Sequence, residues 1–194
     1  MNKLEKLHEQ LDSFDASVRA ETLEEIVDLY NSGRVETAEN KGWTNLHFHT
    51  FYSFNCCGFS PSKIAWLAKK AGLEAAGIVD FDVLDAVNEF TRACQKLNIK
   101  YTAGLETRVF VEELATKEIN SPGDPVISYH MGTGIVSGQV KGIQSEFLQG
   151  LKHTAGQRNK GLIERVNRFL SPVEIDYEKD VMVLTPAGNA TERH

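Results

Sequence analysis

Two histidines one residue apart, His47 and His49 in the run Leu46-His47-Phe48-His49-Thr50, offer the first chemistry in this chain. In an extended segment residues two apart point to the same side, so both imidazoles can reach one ion. Asp80 and Asp82 stand in the same relation after the apolar run Ala76-Gly77-Ile78-Val79. Glu106 follows Ala103-Gly104-Leu105, and His130 follows Ser128-Tyr129. Imidazole nitrogens combined with carboxylate oxygens suit zinc, manganese or iron better than calcium, which takes an all-oxygen shell. A carboxylate such as Glu106 can bridge two ions. Singly, each group has an ordinary explanation: a histidine pair satisfied within a strand, an aspartate capping the next helix, a surface glutamate, a histidine beside a turn. The case for a metal rests on their coincidence.

The elements that must position these groups follow from periodicity. Residues 1–33 read as two amphipathic helices, with Leu4, Leu7, Leu11 and Phe14 on one face of the first and Leu23, Ile26, Val27 and Tyr30 on one face of the second. Asp15 caps the second helix and Gly33 ends it, and 34–42 is a polar connector. From Trp43 onward short apolar runs alternate with helical segments. Strands are expected at 43–48, 75–79, 99–105, 126–129 and 181–184. Ser60-Pro61 opens a helix that Gly72 closes, residues 84–98 are helical, Ser121-Pro122-Gly123 marks a turn, and 139–170 is helical with a break near Gly156. This βαβ alternation predicts a parallel sheet or barrel. Such folds gather functional groups at the carboxyl ends of their strands. His47 and His49, Asp80 and Asp82, Glu106, and His130 would then close strands one to four on one rim.

The chain has 194 residues, a formal charge of −6, 25% charged and 41% hydrophobic residues, which describes an ordinary globular protein. One domain with a helical extension is expected, residues 1–40 preceding a body at 41–194. The acidic balance argues against a strongly basic nucleic-acid binder. The amino terminus lacks the apolar core of a signal peptide and no stretch reaches membrane-spanning length, so the chain is placed in the cytoplasm and off membranes. Three cysteines, two of them adjacent at Cys56 and Cys57, are too few for a disulfide framework and are read as reduced structural thiols.

Asn45-Leu46-His47-Phe48-His49-Thr50, Ala76-Gly77-Ile78-Val79-Asp80-Phe81-Asp82 and Ala103-Gly104-Leu105-Glu106 together resemble, in order and separation, the first three motifs of the PHP (polymerase and histidinol phosphatase) family. The helix opened by Ser60-Pro61 is similar too, and the likeness spans residues 43–134. The resemblance implies a distorted (β/α)7 barrel, incomplete here, with two or three divalent ions at the strand ends and hydrolysis of phosphoesters. By position His47 and His49 would hold one ion, Glu106 would bridge, and His130 would match the histidine after the glutamate motif. Asp80 matches the aspartate of the family's Thr-Asp-His triplet, as ligand or proton acceptor. The sequence departs from the pattern where Phe81 replaces the histidine of that triplet and where Phe54 follows Ser53 in place of an aspartate.

The family's late Asp-x-His motif is absent. Five strands cannot close a seven-stranded barrel and would leave strand edges open, which folded proteins avoid. The expectation is therefore either a natural chain that continues past His194, with His194 as a ligand, or a shortened variant that covers its edge with helices or by homo-oligomerisation. The expected activity is metal-assisted hydrolysis of a small phosphorylated substrate, with Arg108 as its cation. The alternatives left open are a catalytically impaired metal-binding protein, consistent with Phe81 and Phe54, and a nucleic-acid-processing accessory role. The latter is suggested by Lys152, His153, Arg158, Lys160, Arg165 and Arg168, which are more simply read as a solvated helix face.

Overall fold

A computed structural model describes residues 2–120, 122, 123 and 125–194; Ser121 of the expected turn lies outside them. Helices α1 (Lys3–Gln10) and α2 (Ala16–Asn31) form in the expected stretch, but α1 stops short of Leu11 and Phe14, and Phe14 is exposed instead of sharing the helix's buried face. Asn2 and Glu5 close a reciprocal capping box on α1, and the Asp15 carboxylate accepts the amide of Ser17 at the start of α2. Leu7, Leu11, Leu23 and Ile26 join the same buried cluster as Trp66 and Phe90, so both helices share the core of the body. Buried Arg19 fastens α2 further by donating to Glu89 from Nη2 at 2.5 Å and to the Ser13 carbonyl at 2.7 Å.

The body runs β1 (Trp43–Phe48), α3 (Pro61–Lys70), β2 (Leu73–Phe81), α4 (Val87–Lys96), β3 (Lys100–Phe110), β4 (Ile127–Thr133) and α5 (Ile143–Leu170). The Ser60 hydroxyl accepts the Lys63 amide at 3.0 Å with Pro61 in the first turn, as the sequence required. Gly72 leaves α3 at φ 74°, where a Cβ would stand 2.2 Å from the Glu39 carbonyl oxygen. The strands form a curled half-barrel of order β1-β2-β3-β4, an α/β architecture matching the incomplete barrel. Gly77 lets β1 approach β2 closely, because a Cβ there would meet the Leu46 Cα at 2.8 Å. Among the described residues no helix is long and apolar enough to cross a membrane.

Four expectations are corrected. The sheet is parallel only through β3; β4 runs antiparallel, pairing Phe110 with Ile127 and Gly104 with Thr133. A parallel return needs a crossover, usually helical, whereas among the described residues the connection after β3 carries only the 3-10 turn Glu112–Leu114 and folds back through Val111 to Val126. Pairing with β4 also extends β3 to Phe110, so Glu106 sits within the strand instead of closing it. The expected fifth strand is absent among the described residues. The side chain of Asp176 accepts the amides of Glu178 and Lys179 and starts a π turn (Tyr177–Val181), followed by a 3-10 turn (Met182–Leu184). α5 passes through Gly156 without a break.

Candidate metal centre

β1 and β3 flank β2; His47 lies in β1, His49 just past its end, and Glu106 in β3. Nε2 of His47 lies 2.9 Å from Oε2 of Glu106, and Nε2 of His49 lies 3.3 Å from the same oxygen. One ligand atom from each of the three groups falls within 4.8 Å of the others. The backbone supports this convergence: Asn45 accepts the His47 amide at 3.0 Å, and Asn55 donates to the His49 carbonyl at 2.8 Å. The set opens on a cavity of about 520 Å³ lined by His47, His49, Phe81, Glu106, Tyr129 and Arg193 among others.

The donor set fits a divalent ion. Two imidazoles and one carboxylate with an open side is a ligand count of catalytic zinc sites, and manganese or iron accept the same donors. Burial, then the neighbouring His47 and Arg193, pushes the His49 imidazole down to about 4. The ring is therefore neutral at pH 7, the form that binds metal. Nδ1 of His49 is buried with no hydrogen-bond partner among the described residues, which costs about 1–3 kcal/mol unless another group engages it.

The other expected ligands lie elsewhere. Asp80 is fully buried and used up: its Oδ1 accepts the Thr50 amide at 2.6 Å and the Ser53 hydroxyl at 2.8 Å, and its Oδ2 accepts the Thr50 hydroxyl at 2.6 Å. Burial nonetheless pushes its carboxyl up to about 6, the three hydrogen bonds opposing the rise. Asp80 thus pins the loop that leaves His49 and stands outside the converging set. Asp82, at φ 61°, accepts the Thr107 hydroxyl at 2.6 Å and caps no helix, since α4 starts after Ala86. His130 pairs with Thr107 across the β3–β4 ladder, which puts it on the face opposite Glu106, where it is exposed. His194 turns back on its own segment, its Nδ1 accepting the Thr191 amide at 2.9 Å and its ring meeting Phe54 edge-on at 5.3 Å.

Arg108 lies over the Tyr129 ring at 5.7 Å, and Tyr129 in turn lines the metal cavity. The cation that itself lines this cavity is Arg193, 5.6 Å from the centre of the Phe81 ring. Phe81, at the position the family gives to a histidine, stacks on His49 with centroids 4.4 Å apart and planes 16° from parallel. Sequence reasoning missed Arg193 and Tyr129, which belong to no spacing pattern. It also missed Thr50 and Ser53, although two hydroxyls so soon after His49 were a readable signal.

The segment after α5 closes over this end of the sheet. Asn189, buried, donates to the Phe81 carbonyl at 2.9 Å and to the Tyr52 carbonyl at 3.3 Å, while Asn159 of α5 donates to the Ala190 carbonyl at 2.6 Å.

Two solved structures share the fold. One is a protein from Bifidobacterium adolescentis assigned as a metal-dependent phosphoesterase, 20% identical, with a TM-score of 0.53 over 73% of this chain and 43% of that one. The other is an amidohydrolase from Chromobacterium violaceum with bound sulfate and no metal, 15% identical, with a TM-score of 0.58 over 76% of this chain and 46% of that one. The chain thus spans less than half the length of either. No curated protein matches it. The profile of the PHP domain matches residues 45–178, from the residue before the histidine pair's strand neighbours to the turn beyond α5, and over that stretch, more than half of its length, the chain belongs to the PHP domain family.

Proposed function

We propose that the chain is a metal-dependent hydrolase acting on a small phosphoester, with one ion held by His47, His49 and Glu106. The observation that carries this reading is the convergence of both imidazoles on one buried carboxylate oxygen, at 2.9 and 3.3 Å. A divalent ion bound there supplies a Lewis acid and an acidified water. The protein's own groups do the rest. His49 offers a neutral ring, and Glu106, whose Oε2 faces both histidines, leaves its other carboxylate oxygen to orient a water and take up its proton. Arg193 brings a cation to the cavity wall, where it can pair with a phosphoryl oxygen. Phe81, stacked on His49, keeps water from that side of the ring. The structural neighbours assigned as a phosphoesterase and an amidohydrolase support hydrolysis by analogy of fold alone.

Among the described residues three donors converge, which supports one ion in place of the two or three the resemblance implied. A small substrate is favoured over nucleic acid because the chain is acidic overall and three of the basic groups of α5 are engaged locally. Lys160 pairs with Glu178 at 3.1 Å, Arg158 with Glu192 at 3.4 Å, and Lys152 with the Ala187 carbonyl.

A second reading, metal binding without turnover, is favoured by Phe81, which fills the expected place of a further ligand. One experiment separates the two: metal content by mass spectrometry together with hydrolysis of a chromogenic phosphate mono- or diester in added manganese or zinc. Hydrolase function requires turnover that disappears with the ion in the His47→Ala, His49→Ala double variant. Turnover that survives in that variant would overturn the mechanism, and stoichiometric metal without turnover would establish the second reading.

A further inference from the structure

The loop between His49 and α3 carries two thiols that the imidazole–carboxylate centre does not use. Cys56 and Cys57 are both exposed, and their sulfurs stand 3.8 Å apart. Neighbouring residues in an extended chain point to opposite sides. Here a turn brings them together: the Asn55 side chain accepts the Cys57 amide at 2.9 Å, the Asn55 carbonyl accepts the Gly58 amide at 2.8 Å, and Gly58 reverses the chain at φ 68°.

The separation has a chemical meaning. With metal–sulfur bonds of about 2.3 Å and tetrahedral angles, two thiolates on one zinc ion lie roughly 3.8 Å apart. The separation of the two sulfurs therefore matches an edge of such a tetrahedron. A bond between the two sulfurs is the less suitable outcome. Disulfides join α-carbons about 4.4–6.8 Å apart, whereas adjacent residues hold theirs at about 3.8 Å, below that range. Thiolates select soft ions, while the imidazole–carboxylate set also accepts manganese and iron. The third cysteine, Cys94, lies in the core, where burial pushes its thiol up to about 12, and it has no access to a ligand.

We propose that Cys56 and Cys57 form a second cation site, which takes one soft divalent ion of the zinc and cadmium class through both sulfurs and completes its coordination with water or a ligand from solution. The site is independent of the hydrolase reading, since neither thiol belongs to the His47, His49 and Glu106 set. Asn55 connects the two regions: the side chain that shapes the thiol turn also donates to the His49 carbonyl at 2.8 Å.

The test is a cadmium titration of the reduced full chain, followed by thiolate-to-cadmium charge-transfer absorption in the ultraviolet, in the wild type and in the His47→Ala, His49→Ala variant. The expected result is one thiolate-bound cadmium per monomer in both proteins and no displacement by manganese. Cys56→Ser or Cys57→Ser alone should weaken binding at least tenfold, and the double serine variant should lose the signal. Because both side chains are exposed, serine leaves the core intact, and Cys94 is a constant background. Wild-type affinity in either single variant would overturn the proposal. So would a signal that vanishes in the histidine variant, or half an ion per chain with dimerisation.

Discussion

Asp80→Asn separates a carboxylate that binds metal from one that pins a loop. Asparagine keeps the shape of the knot: its carbonyl oxygen accepts from the Thr50 amide and the Ser53 hydroxyl, and its amide faces the Thr50 hydroxyl oxygen. What it removes is the charge. Burial raises the Asp80 carboxyl from 3.8 to about 6. Between these values the folded protein holds a proton that the unfolded chain has released, so stability is highest below the lower value and declines as pH rises through the window. Two units at about 1.36 kcal/mol each give a decline of about 3 kcal/mol. His49, whose folded value is lowered, contributes with the opposite sign over an overlapping range. That contribution is common to both proteins and cancels in their difference. Urea unfolding midpoints in chelator, from about pH 4 to about pH 8, should show the wild type losing about 2 kcal/mol of that decline relative to Asp80→Asn by about pH 7, then no further change. A wild-type stability that, relative to Asp80→Asn, stays flat or rises with pH would refute the argument. A tenfold loss of metal affinity in Asp80→Asn would return Asp80 to the ligand set.

Other perturbations test separate parts of the structure. Phe81→His replaces the ring stacked on His49 with a fourth donor, and bound metal per chain should rise, as read by elemental analysis. Arg193→Ala removes the cation lining the cavity; losing a charged hydrogen bond of about 1.5–3 kcal/mol should raise KM for a phosphoester roughly 10- to 100-fold with a smaller effect on kcat. Trp66 is fully buried and its indole donates to His8 of α1 at 2.8 Å. Trp66→Ala should therefore cost about 3–5 kcal/mol, and calorimetry should show α1, α2 and the body melting in one transition at a lower temperature.

Local signals in the sequence proved accurate where the determining interactions are themselves local. The Asp15 cap, the Ser60-Pro61 start, the Gly72 stop and the strand bearing His47 each depend on a few neighbouring residues. The direction of β4 depends on what joins it to β3, and the absence of helix periodicity between 111 and 126 already argued against a parallel return. The apolar run from Val181 to Leu184 was too short to distinguish a strand from a helical turn. At the site, motif order pointed to His47, His49 and Glu106, and the fold brings one ligand atom of each close to the others. Asp80 was read as a ligand or proton acceptor; its bonds to Thr50 and Ser53, a whole βα unit away in sequence, are visible only in the folded chain. Arg193 arrives through the segment that Asn159 and Asn189 hold down, which no periodicity reports.

The position of β2 between the donor strands has a mechanical consequence. His47 belongs to β1 and Glu106 to β3, and these two strands share no hydrogen bonds with each other in the sheet order. An ion gripping both would lace the first and third strands together over the second, tying down a strand it never touches. The amides of β2 should then exchange with solvent more slowly when the ion is bound, so that hydrogen exchange in the middle strand becomes a gauge of occupancy at the outer two.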